Sequence, residues 1–216
     1  MMLISFIFVC LFEQSGSNLL LFCDRLTDKK IFSIAFPISF FRAFDPLFTV
    51  FIGIFFIIYY KVKKKHVKNG SNILQYQYKF AIAFLILTLC YYMLYYACNI
   101  YNITISPWII VISYFLFALS EINIIPMGYA MIGRFDAKYN STILTGLWSA
   151  ALSLGSWGSG KIAIVLTDRY LIVNNNLDYN VESYSKIFES LFIISNLSLI
   201  VIIVIINIIM HRKIKI

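Results

Sequence analysis

Charge is what this chain has least of. Asp, Glu, Lys and Arg make up 13% of its 216 residues, too few to cover a globular domain of that length with solvated side chains. From Phe80 to Gly133 the sole Asp, Glu, Lys, Arg or His is Glu121. Histidine is limited to His66 and His211, each beside basic residues, and Cys10, Cys23, Cys90 and Cys98 show no paired metal-ligand spacing. No metal or other cofactor is implied, and the cysteines read as small packing residues. No nucleophile stands beside a base or a metal cluster, which argues against an enzyme. A cationic leader and a small-residue cleavage site are both missing ahead of Glu13–Asn18, so the first apolar segment reads as a retained span rather than a removable signal.

What is there is grease. Hydrophobic residues reach 61%, with 20 Phe and 15 Tyr. Crossing a hydrocarbon core of about 30 Å takes about 20 apolar residues, and such windows fall at roughly 2–23, 38–60, 78–98, 107–132, 143–167 and 187–210. Each is continuously apolar, without the strict alternation of a barrel strand. The expectation is an all-α membrane protein: a single six-helix transmembrane bundle over residues 1–216, in contact with lipid.

A net charge of +8 points to nucleic acid in a soluble chain, but its placement here is topological and no nucleic-acid partner is expected. Lys61, Lys63, Lys64, Lys65, Lys68 and Lys79 fill one connector, Arg134 and Lys138 another, and Arg212, Lys213 and Lys215 the end. The alternate connectors carry fewer cations and more acids. The positive-inside rule then puts both termini in the cytoplasm of a cell membrane. Tyr91, Tyr92, Tyr95, Tyr96, Tyr101 and Trp108 are assigned to the outer interface, where amphipathic rings settle.

Against this background Glu121 is the first site candidate. An acid or base at mid-bilayer costs about 2.5–3.5 kcal/mol on insertion scales, so such a residue tends to line a polar path or to pair; the alternative is a protonated Glu bonded to a neighbouring helix. Pro126 lacks an N–H and frees the carbonyl of residue 122, a place for a helix to bend or a tolerated kink. Glu13, near the midpoint of the first span, is a candidate for taking up and releasing a proton, or for a helix-to-helix hydrogen bond through Gln14 and Ser17. Arg42 and Asp45 lie three residues apart, on one helical face. They read as an internal ion pair, or as a pair packed outward at the headgroups. Ala151, Gly155, Ser159 and Ala163 recur every four residues, a spacing that lets helices approach closely. Lys161 interrupts that stripe and either snorkels or faces a cavity.

Four blocks in order carry a resemblance. FEQSGSNLLLFCDR (Phe12–Arg25), FPISFFRAFDPLFTV (Phe36–Val50), LSEINIIPMG (Leu119–Gly128) and GLWSAALSLGSWGSG (Gly146–Gly160) resemble the seventh, eighth, tenth and eleventh helices of the proton-dependent oligopeptide transporters, within the major facilitator superfamily. The likeness covers nearly the whole chain and implies one half of such a transporter, helices seven to twelve.

The resemblance implies a small peptide and protons as partners, with Glu121 receiving the peptide's amino end and Glu13 sensing protons. Asp24 matches an acid that pairs across the outer gate, though an interfacial Asp beside Arg25 reads equally well. Trp148 matches a pocket-lining Trp, with a core Trp as the other reading. The chain departs from the family at Arg42, where Gln is usual, and at Asp45, where Asn is usual; Asp45 can still contact an ammonium group. The family's first-helix Glu-x-x-Glu-Arg motif belongs to the other half, so a separate N-terminal six-helix half is expected as partner. A truncated, inactive remnant and an unrelated six-span scaffold or channel are the competing readings. Peptide preference and proton stoichiometry are not legible here.

Overall fold

The computed structural model describes residues 2–31, 34–63, 73–101, 104–135, 141–173, 176–177 and 179–214. Lys64, Lys65, His66, Lys68, Asn102, Lys138, Asp178 and Lys215 lie outside them. Among the described residues eight α-helices follow in order: α1 (Met2–Phe12), α2 (Asn18–Leu26), α3 (Ile38–Lys63), α4 (Ile73–Ile100), α5 (Pro107–Ile122), α6 (Ile125–Phe135), α7 (Ser141–Tyr170) and α8 (Val181–Ile214). Two-residue strands form small antiparallel hairpins, β1 (Lys30–Ile31) with β2 (Ile34–Ala35) and β3 (Ile172–Val173) with β4 (Asn176–Leu177).

Five stretches among the described residues are long and apolar enough to cross a membrane: Met2–Leu26, Ile38–Tyr59, Gln77–Ile100, Pro107–Gly133 and Val181–Ile208. The chain is an integral membrane protein. The α7 helix has 30 residues but is not one of the five, because Ser, Gly and Lys161 dilute its apolar content.

Two of these stretches are broken, which hydropathy averaging hides. After Phe12 the chain tightens into a 3-10 turn, Glu13–Gly16, and restarts as α2 after Ser17. After Ile122 it turns through Asn123 and Ile124, whose N–H groups bond the carbonyls of Ser120 (3.1 Å) and Glu121 (2.9 Å). Pro126 sits in the first turn of α6, a position where its missing N–H costs nothing.

A broken helix leaves carbonyls without partners, which hydrocarbon does not tolerate. Tyrosines from neighbouring helices meet this need: the Tyr91 hydroxyl of α4 donates to the Leu11 carbonyl, and Tyr114 of α5 donates to that of Ser15 at 3.2 Å. Tyr91 is 1% exposed, a correction to its assignment at the outer interface. Its ring packs edge-on against Phe117, which meets Phe12 in the same way. This aromatic core holds α1, α4 and α5 around the first break. Tyr92, Tyr96, Tyr101 and Trp108 are exposed.

The α1 helix lies against α7 at close range. A Cβ added at Gly155 would stand 2.7 Å from the Val9 Cβ and 2.9 Å from the Phe6 carbonyl, and one at Gly158 would stand 2.7 Å from the Cys10 sulfur. Gln14 ties the break to the same helix, donating to the Ser159 hydroxyl and carbonyl at 2.9 Å. It accepts from Asn18 at 2.6 Å. The small-residue stripe is therefore a packing seam at Gly155 and Ser159.

Candidate functional site

Glu13, Arg42, Asp45 and Glu121 come from three separate stretches and gather between the two breaks. Glu13 opens the 3-10 turn directly after α1, and Glu121 lies in the last turn of α5. Both acids therefore stand at helix C-terminal ends, where the helix dipole places negative charge. Arg42 and Asp45 enter from the early turns of α3.

The expected Arg42–Asp45 pair does not form. Arg42 reaches across to the first break, donating to the Ser15 hydroxyl at 2.8 Å and approaching the Glu13 carboxylate at 3.9 Å. Its guanidinium lies against Gly16, where a Cβ would come within 2.8 Å of it. The physical reason is reach: a long Arg side chain finds hydroxyl and carboxylate acceptors at the opened turn, whereas the short Asp45 side chain stays beside α5. Asp45 is 7% exposed, and its Oδ1 has no hydrogen-bond partner.

Thr49, one turn along α3, connects the rest. Its hydroxyl contacts the Asp45 backbone carbonyl at 3.0 Å and the Glu121 Oε2 at 3.1 Å. Asp45 and Glu121 are thereby held close enough to interact electrostatically, with Glu13 and Arg42 also in range. No ion pair of the described residues includes Asp45 or Glu121. Thr49 was not singled out in the sequence; its spacing of four from Asp45 was the available signal.

A cavity of about 500 Å³ lies one turn beyond Thr49 along α3, lined by Gly53 and Phe56 of α3, Lys79 of α4, and Asn123, Pro126 and Met127 at the second break; none of the four cluster residues lines it. It has room for a small organic ligand.

Other expected site residues lie elsewhere. Trp148 is 1% exposed and packs on Gly128 and Tyr129 of α6, with its indole N–H unpartnered; in this conformation it is a core residue, not a pocket wall. Asp24 pairs with its own neighbours, Lys29 at 2.6 Å and Arg25 at 3.6 Å. Lys161 is exposed, with its ammonium 5.7 Å from the centre of the Trp157 ring. Among the described residues no group of three or more His, Cys, Asp or Glu could hold a metal ion.

Ionisable groups gathered inside interrupted spans define the class as an integral membrane protein built like a secondary transporter, whose sites form at discontinuous helices. Comparisons with known proteins carry this further. The sequence pattern of the POT family (PTR2) matches residues 1–178. The peptide transporter YePEPT of Yersinia enterocolitica subsp. palearctica serotype O:3 (strain YE-P4) is 26% identical over 156 residues, which are 70% of this chain and 30% of that protein. Tetrameric PepTSo2 matches with a TM-score of 0.73 and 16% identity, over 97% of this chain and 42% of its own. A peptide transporter POT in complex with sulfate matches at 0.71 and 19%, over 94% and 38%. The chain thus spans less than half the length of these relatives. It belongs to the POT family.

Proposed function

We propose that this chain is a six-helix bundle equivalent to helices seven to twelve of a proton-coupled transporter of small peptides, with α7 as the fifth span and both termini cytoplasmic. It works against an N-terminal six-helix half, the two rocking about a shared midplane site. The observation that carries this is the Glu13–Arg42–Asp45–Glu121 cluster between two helix breaks.

A peptide is a zwitterion, and its ammonium end needs an anion where water is scarce. Glu121, with the terminal carbonyls of α5 behind it, offers one, and Asp45 lies within range of the same group. Glu13 exchanges its proton and its Arg42 contact as the transport cycle turns. The Asn123–Ile124 break ahead of Pro126 is the hinge of the inner gate. Asp24 guards the opposite end, exchanging Lys29 or Arg25 for a partner on the other half. Trp148, with a free indole N–H, becomes available to substrate when α6 swings.

The test is dipeptide uptake into vesicles under an inward proton gradient, with and without a co-expressed N-terminal half. Uptake only with the partner, abolished by Glu121→Gln and uncoupled from protons by Glu13→Gln, is expected. Absence of uptake with a partner present would favour an inactive remnant, and full accumulation in both variants would overturn the roles given to these acids.

A further inference from the structure

We infer that the Asp45–Glu121 pair makes this site selective for peptides whose first residue is cationic, Lys or Arg. The inference rests on the peptide-transport reading above and adds a substrate class to it.

The argument is one of charge and partners. Three carboxyl groups and one guanidinium meet between the breaks, and the guanidinium is already engaged by Glu13 and Ser15. That leaves Asp45 and Glu121 within range of Arg42 but without an ion pair of their own among the described residues. One ammonium answers Glu121, which has a Thr49 hydroxyl donor but no ion pair. Asp45 remains: nine-tenths buried, with an oxygen that none of the described residues satisfies.

A buried, unpaired carboxyl group is costly, and the cost is relieved only by a donor or a cation. Glu121 lies in the last turn of α5, where the helix dipole adds negative potential. A dication bound through its amino terminus at Glu121 is therefore steered to put its side-chain charge at Asp45.

Binding of Ala-Ala, Lys-Ala and Ala-Lys to the chain assembled with an N-terminal half in lipid nanodiscs, by titration calorimetry, tests this. Lys-Ala is expected to bind at least tenfold tighter than Ala-Ala, and Ala-Lys to gain less than threefold. Asp45→Asn should bring Lys-Ala to within about twofold of Ala-Ala, and Asp45→Glu, which keeps the charge, should retain the preference. Equal binding of Lys-Ala and Ala-Ala overturns the inference and leaves peptide recognition intact, as does a preference that survives Asp45→Asn. An equal gain for Ala-Lys would mean a diffuse field rather than a placed carboxyl group, and also overturns it. If none of the three peptides binds, the peptide reading falls, and this inference with it.

Discussion

Arg42 and Glu13 face each other across the opening of the first span at 3.9 Å, each a little over one-third exposed. At that distance and exposure the attraction is modest, and the shorter contact of Arg42 is to Ser15. Exposed ion pairs typically contribute about 1 kcal/mol or less. A double-mutant cycle of Glu13→Gln and Arg42→Gln, read by thermal unfolding in detergent, should give a coupling below about 1 kcal/mol. A coupling of about 3 kcal/mol would instead describe a buried, structural pair. The weakness suits the exchange proposed for this contact.

Tyr91 has the opposite character. Its hydroxyl and the Leu11 carbonyl belong to residues that are both 1% exposed. Tyr91→Phe removes the donor and leaves the carbonyl bare, at a cost of about 1–2 kcal/mol. Tyr114→Phe, whose contact to the Ser15 carbonyl is longer at 3.2 Å, should cost less. Thermal unfolding of the two variants side by side checks the order; a reversal would mean that the 3-10 turn does not depend on Tyr91.

How much of this was legible in the residues varies with the range of the interaction. Helix positions follow from local apolar runs, so α3 at Ile38–Lys63 and α7 at Ser141–Tyr170 fall close to their expected spans. The α8 helix begins at Val181, several residues early, where Asn180 caps it, its Oδ1 accepting from the Ser183 N–H at 2.7 Å. The break at Glu13–Gly16 was invisible because a window of about 20 residues averages four polar residues into their neighbours. Glu121 stood out as a lone acid. The partner of Arg42 did not, since spacing along one helix identifies which residues share a face but not which neighbouring helix presents acceptors.

The α1–α7 seam separates glycines that matter from those that do not. Gly155→Ala places a methyl group 2.7 Å from Val9 and 2.9 Å from a backbone oxygen. Backbone cannot yield cheaply, so the helices must part, with an expected loss of about 1–3 kcal/mol. Gly160→Ala meets nothing within 4 Å and should be neutral or stabilising by a few tenths, about what helix propensity adds in a helix that is already formed. Size-exclusion profiles after graded heating distinguish the two. Equal behaviour would mean that α1 and α7 do not approach this closely in the membrane.

Pro126 raises the question of what holds the second break open. Alanine at this position restores an N–H that can bond the Ile122 carbonyl, allowing a continuous helix from α5 into α6. Two features resist healing: Ile124 is fully buried, and the Asn123 side chain is bonded to the Leu119 carbonyl at 2.8 Å. If the proline dominates, Pro126→Ala should slow hydrogen exchange at the Asn123 and Ile124 amides by at least tenfold, and the new amide at the substituted position should be protected as well. Peptide uptake by the assembled carrier should fall with it, because a straight helix has lost its hinge. If exchange at Asn123 and Ile124 is unchanged, the packing of these two residues sets the break, and the hinge assignment moves from the proline to them.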